Sequence, residues 1–127
     1  MSVLTIDVHV EAVGTVVVKP HGEIDSENAH EIREVVTAYL TGGGSPRGAI
    51  KIDLGSVNFI DSVGIGVLVG CFHAAAASGV KLTVVNPTSY VHRILYISGL
   101  LGLFGSPAMA ASPQRVARDG ARADQAR

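Results

Sequence analysis

Asp61 and Ser62 stand side by side, after Asn58-Phe59-Ile60 and before an apolar stretch with glycine at 64, 66 and 70. A segment of that kind suggests phosphate binding or nucleophilic catalysis, and each makes further demands on the sequence. Gly64-x-Gly66-x-x-x-Gly70 is one residue too long for the G-x-G-x-x-G turn that brings backbone amides up to a pyrophosphate. The chain has no room for a second mononucleotide half, and no acid about 20 residues on ends a second strand. A P-loop is excluded because no Gly-Lys-Ser/Thr follows a glycine-rich loop. A hydrolase nucleophile would sit in G-x-S-x-G, whereas Ile60 and Asp61 precede Ser62. His9, His21, His30, His73 and His92 are scattered singly, without the paired spacing that holds a metal. The sequence also lacks a convergent polar pocket for a small ligand. No enzymatic activity and no cofactor are expected.

What remains is a serine at the start of a helix. Taken alone, Asp-Ser in that place is an ordinary N-cap. The helix behind it is less ordinary. Ile65, Leu68, Val69, Phe72 and Ala76 form a stripe suited to a sheet. Val63, Val67, Gly70, Ala74 and Ala77 occupy the rest of the circumference and are apolar or tiny. A surface helix normally carries charge on its outer side. One without it is covered twice or offers an apolar patch to a partner. A core of about 105 residues has little material for a second layer, so a partner surface that includes Val67 is expected.

The elements around this segment follow from periodicity and punctuation. Leu4, Ile6, Val8 and Val10 alternate with polar residues as a half-buried strand, and Thr15–Lys19 reads as a second, paired hairpin-fashion and ended by Pro20–Gly22. Asp25 or Ser26 caps a helix of about 14 residues whose inward stripe is Ala29, Ile32, Val36, Tyr39 and Leu40. Thr41–Gly48 is a loop, Ala49–Leu54 a third strand, and Ser56–Ile60 a loop leading to the second helix. That helix stops at Ser78–Gly79, Lys81–Val85 is a fourth strand, and Ser89–Ser98 a short helix ended by Gly99. Leu100–Phe104 should dock back on the sheet. The implied fold is α/β: a mixed sheet of four to five strands with helices packed against it, and a parallel crossover from Ala49 to Val85. The domain spans residues 1–105, and residues 106–127 read as a disordered tail.

The 127 residues carry a formal charge of −1, which gives no global attraction to nucleic acid or anionic membrane. The near-balance is uneven: Glu23, Asp25, Glu27, Glu31 and Glu34 crowd one stretch, while the last 22 residues hold four arginines. The lone Cys71 precludes an internal disulfide and reads as an inert packing thiol. No basic-then-apolar leader opens the chain, and Val63–Ala77 falls short of the roughly 20 residues of a bilayer span. A cytoplasmic protein is expected.

Three segments, in order, resemble the STAS-domain anti-sigma factor antagonists. Asp61-Ser62-Val63-Gly64-Ile65-Gly66 is similar to the family's phosphorylation segment D-S-[S/T/A]-G-L-G. His21–Glu34 resembles its G-E-[IL]-D approach to the first helix, and His92–Phe104 its closing R-[IL]-L-x-[IL]-[ST]-G-L. The likeness runs from about residue 4 to 104. It implies that Ser62 is phosphorylated by a partner anti-sigma factor that is itself a serine kinase and supplies ATP and Mg²⁺. It also implies a phosphatase that reverses the modification. Asp25, Asn58, Asp61, Ser62, Val63, Gly64, Ile65, Gly66 and Val67 would then form the partner-binding surface, with Asp61 orienting the segment rather than acting as a base. Val63 departs from the small or hydroxylated residue usual there and leaves one acceptor hydroxyl. The rival reading is a STAS scaffold or transporter-associated subunit without a phosphorylation cycle.

Overall fold

The computed structural model describes residues 3–11, 14–42 and 48–110. Two antiparallel strands open the chain, β1 (Leu4–Val10) and β2 (Thr15–Ile24). Helix α1 (Ala29–Thr41) follows, then β3 (Ala49–Asp53), β4 (Ser56–Ile60), α2 (Ser62–Ala77), β5 (Lys81–Val85) and α3 (Ser89–Ile97). The five strands form one mixed sheet in the order β1-β2-β3-β5, with β4 also on β2. Residues 43–47 of the expected loop and 111–127 of the expected tail lie outside the described residues. Ala110, the last described residue, donates its N–H to the Pro87 carbonyl at 2.7 Å.

β2 is longer than its β-branched run suggests. It pairs with β3 from Thr15 to Val18, then with β4 from His21 to Ile24, both in parallel. Pro20 lies between the two ladders, where its missing N–H interrupts neither. Pro20–Gly22 therefore does not end the strand. Ser56–Ile60 is likewise a strand and not a loop: Gly22 is opposite Val57 and Glu23 opposite Phe59, so Asn58 is the extra residue of a β-bulge. The parallel crossover is as expected, with β5 beside β3 from Ala49↔Lys81 to Asp53↔Val85.

Alternation carries Val16, Val18, Ile50, Ile52, Leu82 and Val84 onto one face of the sheet. There they join Ile32, Val36, Leu68, Val91, Leu95 and Phe104 in one core. Phe104 is fully buried, meets Phe72 edge to face, and its carbonyl accepts from Val84 N–H, so the Leu100–Phe104 segment does dock back. The other face carries His21 bonded to Asp7 at 2.8 Å and Lys51 bonded to Glu11 at 2.7 Å. That lysine holds the Glu11 carboxyl below the ordinary carboxylate range.

Helices α2 and α3 both end in the same device. Gly79 and Gly99 take φ of 75° and 73°, and Val80 and Leu100 donate back to the Ala75 and Leu95 carbonyls at 2.9 Å. These are the reversed bonds of a Schellman turn, at the two glycines where the sequence predicts helix ends. The start of α1 differs from expectation. Asp25 and Ser26 do not cap the helix; residues 26–28 form a turn and the helix begins at Ala29. Asn28 is buried in that turn, accepting from Asp25 N–H at 3.0 Å and donating to the Glu23 carbonyl at 2.9 Å. Asp25 accepts from Glu27 N–H at 2.9 Å within the same turn. Of the expected inward stripe, Ala29, Ile32 and Val36 are buried, whereas Tyr39 and Leu40 are half-buried.

Candidate functional site

The site forms where β2 and β4 end together. Ile24 is opposite Ile60, and Asp61 donates its N–H to the Ile24 carbonyl at 3.1 Å. Asp25 and Asp61 are thus the first residues past two neighbouring strand ends. Asp61 is extended and its Oδ1 accepts from Gly64 N–H at 2.9 Å, satisfying one of the free amides at the start of α2. Its carboxylate is tied to backbone, which suits the orienting role expected for it and leaves Ser62 as the first helical residue. Ser62 is exposed.

Gly64 has a packing reason. A Cβ there would lie 2.7 Å from Ile24 Cγ2 and 2.7 Å from Ile60 Cγ1. Its absence lets the first turn of α2 sit directly on the ends of both strands, which fixes the height at which Ser62 projects. Gly64 is buried and cannot itself contact a partner, so its expected place in the binding surface is corrected.

Val67 is corrected as well. It is 5% exposed and lies in the core with Leu68, Cys71 and Ala75. The sheet-facing stripe expected for α2 is rotated in consequence: Ile65, Val69 and Phe72 are only half-buried, and Ala76 is exposed. The physical reason is α1, which packs along one flank of α2 while β4 and β5 pack beneath it. This chain does supply part of a second covering layer. Cys71 falls in the covered zone, and burial pushes its thiol up to about 11. Little thiolate exists near neutral pH, as an inert packing thiol requires.

What α2 leaves uncovered is a strip of small residues. Ser62, Gly66, Gly70, Ala74 and Ala77 are exposed, with Val63 at 47% beside them. A Cβ at Gly66 or Gly70 would meet nothing within 4 Å. Neither glycine is required by the packing of this chain, although each costs an exposed helix about 1 kcal/mol relative to alanine. The bulge at Asn58 extends the surface sideways. It leaves both Asn58 and Phe59 exposed, and Phe59 stacks on Tyr90 of α3 with ring centroids 6.1 Å apart. Thr88 fixes α3 there, donating to the Val57 carbonyl at 2.8 Å and accepting from Val91 N–H at 3.4 Å.

The structure therefore gathers Asp25, Asn58, Asp61, Ser62, Val63 and Gly66 at one end of the sheet, with Ile65 half-buried and Gly64 and Val67 beneath. Phe59 and Tyr90 are not among the residues that the sequence pattern marks for this surface. Their signal was scarcity: the chain has three Phe and three Tyr, and an aromatic three residues before the serine is one of them. A cleft of about 390 Å³ between β5 and residues 104–109 is lined by Phe104, Pro107 and Met109 and contains none of the site residues.

A family model for the STAS domain matches residues 7–114. An anti-sigma-B factor antagonist of Listeria monocytogenes is 32% identical over 79 residues, covering 62% of this chain and 67% of that one. One from Staphylococcus aureus is 30% identical over 86 residues, covering 68% and 77%. The solved structure of the anti-sigma factor antagonist SpoIIAA in its unphosphorylated form superposes with a TM-score of 0.67 at 26% identity. That match covers 93% of this chain and 96% of that one.

Proposed function

The chain belongs to the STAS domain family, and on that premise we propose that it is an anti-sigma factor antagonist switched by phosphorylation of Ser62. In this reading the unmodified protein binds an anti-sigma factor with serine kinase activity and so frees a sigma factor. It acts in the cytoplasm, as ligand and phosphoryl acceptor rather than as an enzyme. Relatives named anti-sigma-B factor antagonists support the class. The observation that carries the switch is an exposed hydroxyl on the first residue of α2, beside a helix face without charge.

Docking would bring Val63, Gly66, Gly70 and the Phe59–Tyr90 pair against the partner, whose backbone can approach closely where side chains are absent. Phosphoryl transfer needs a nucleophile in line with the γ-phosphate, and catalysis then consists mainly of positioning and charge stabilisation. Ser62 Oγ attacks the γ-phosphorus as the bond to the ADP leaving oxygen breaks, and its proton passes to a base on the kinase. The partner supplies ATP, Mg²⁺ and that base, because Asp61 is engaged as a cap.

The phosphate adds about −1.5 to −2 charge at pH 7. At the start of a helix the fold tolerates that charge, since the free amides and the macrodipole favour it. At an apolar interface beside Asp61 the same charge opposes docking by about 3–4 kcal/mol, a few hundredfold in affinity at roughly 1.4 kcal/mol per tenfold. Removal of the phosphate by a phosphatase resets the surface.

The test is to incubate the protein with candidate anti-sigma kinases and labelled ATP, map the modified residue, and measure binding of three forms. Label on Ser62 is expected. Ser62→Ala should keep the fold and bind permanently, and Ser62→Asp should fold but bind a few hundredfold more weakly. Label on another residue, or undiminished binding by Ser62→Asp, would refute the switch.

A further inference from the structure

Among the described residues nothing guards the outer edge of β1. β1 pairs with β2 along one side only. Glu11 donates its N–H to the Thr15 carbonyl at 3.0 Å, so the period of an antiparallel ladder turns the odd-numbered amides inward. The N–H and C=O groups of Leu4, Ile6, Val8 and Val10 therefore point away from the sheet. Proteins usually blunt such an edge with Lys, Pro, a bulge or a covering segment. Leu4–Val10 contains no Lys and no Pro, and its register with β2 runs without a shift. Among the described residues no hydrogen bond reaches the outward groups, and Val10 is 66% exposed.

We propose that β1 pairs antiparallel with β1 of a second copy of this chain, about a two-fold axis at Val8, to make a continuous ten-stranded sheet. A two-fold contact is self-complementary, so the strand's own charges select the register. An axis at Asp7 sets Asp7 directly against the partner's Asp7, which is unfavourable. An axis at His9 sets Asp7 against the partner's Glu11, which is no better. An axis at Ile6 leaves His9 and Val10 beyond the partner's strand. Only the axis at Val8 sets Asp7 against the partner's His9, twice, with Ile6 against the partner's Val10 on the apolar side. Neutral or protonated, an imidazole has an N–H to donate to the carboxylate. The outward groups of Ile6, Val8 and Val10 all gain partners in this arrangement. Few residues are matched, so the dimer belongs to the weak, concentration-dependent class.

Sedimentation equilibrium of the full chain from about 10 µM to about 1 mM tests this over the range expected of a weak pair. The mass should rise toward twice the monomer. His9→Asp, at an exposed position, should leave the circular dichroism unchanged and weaken the dimer at least about tenfold. His9→Lys should keep the wild-type affinity within about threefold, because a cation again faces Asp7. In hydrogen exchange the Ile6 and Val8 amides should gain protection with concentration, while those of Asp7 and His9 are protected throughout. A monomer at every concentration, a dimer that His9→Asp does not weaken, or one that His9→Lys abolishes would overturn the proposal.

Discussion

Helices α1 and α2 do the same work toward the sheet and differ in what they turn away from it. Each starts just past the end of a strand, and each buries a stripe of aliphatic residues in the common core. The exposed side of α1 carries His30, Arg33, Glu34 and Thr37, the solvated surface expected of a helix on a small domain. The exposed side of α2 carries Ser62, Gly66, Gly70, His73, Ala74 and Ala77, with no Asp, Glu, Lys or Arg from Ser62 to Ala77. Stability does not call for that difference, since charged and longer residues fit the open side equally well. The contrast points to a surface kept smooth for contact, and it lies on the helix whose exposed first residue is Ser62.

Substitutions can break or sharpen the comparison. Val67→Glu should have the largest effect: it puts an unpaired carboxylate into the zone between α2 and α1, and removal of a charge's partners in a core costs about 3–5 kcal/mol. Thermal melting should drop steeply or vanish. A fold left intact would mean that the α1 flank is looser than its burial indicates. Gly64→Ala comes next, because the added methyl presses on Ile24 and Ile60, and overpacking of this kind costs about 1–3 kcal/mol. Denaturant unfolding would read it directly. Gly66→Ala and Gly70→Ala should be smallest and of opposite sign, each stabilising α2 by about 0.5–1 kcal/mol. If the open face receives a partner's backbone, the same two changes weaken binding to the anti-sigma factor. Gain of stability with loss of binding is the signature that separates this face from that of α1.

Much of this was legible in the sequence because it rests on local chemistry. A start of α2 near Asp61–Ser62, and Gly79 and Gly99 as terminators, each follow from a hydrogen bond or a left-handed φ that a short stretch of chain dictates. The failures have physical causes too. Ser56–Ile60 does not read as a strand because the bulge at Asn58 breaks its alternation, leaving two exposed residues in succession. Pro20 reads as a stop because its tolerance depends on a change of neighbour that no local pattern records. Val67 reads as outward-facing because a helix apolar all round has no phase to read; where α1 lies decides which flank is covered. The start of α1 differs because the Asp25 and Asn28 side chains bond within the turn before the helix, to the Glu27 and Asp25 amides and the Glu23 carbonyl, instead of capping it.

The exchange of neighbours along β2 has a consequence for how this domain can diverge. The first half of that strand is committed to β3 and, through it, to β5; the second half serves β4 alone. A disturbance in β3 or β5 can reach the serine through the sheet only by way of one shared strand, across Lys19 and Pro20, which pair with neither β3 nor β4. The domain's distant edge is thus free to drift in sequence while the modified residue stays at a constant height above the strand ends.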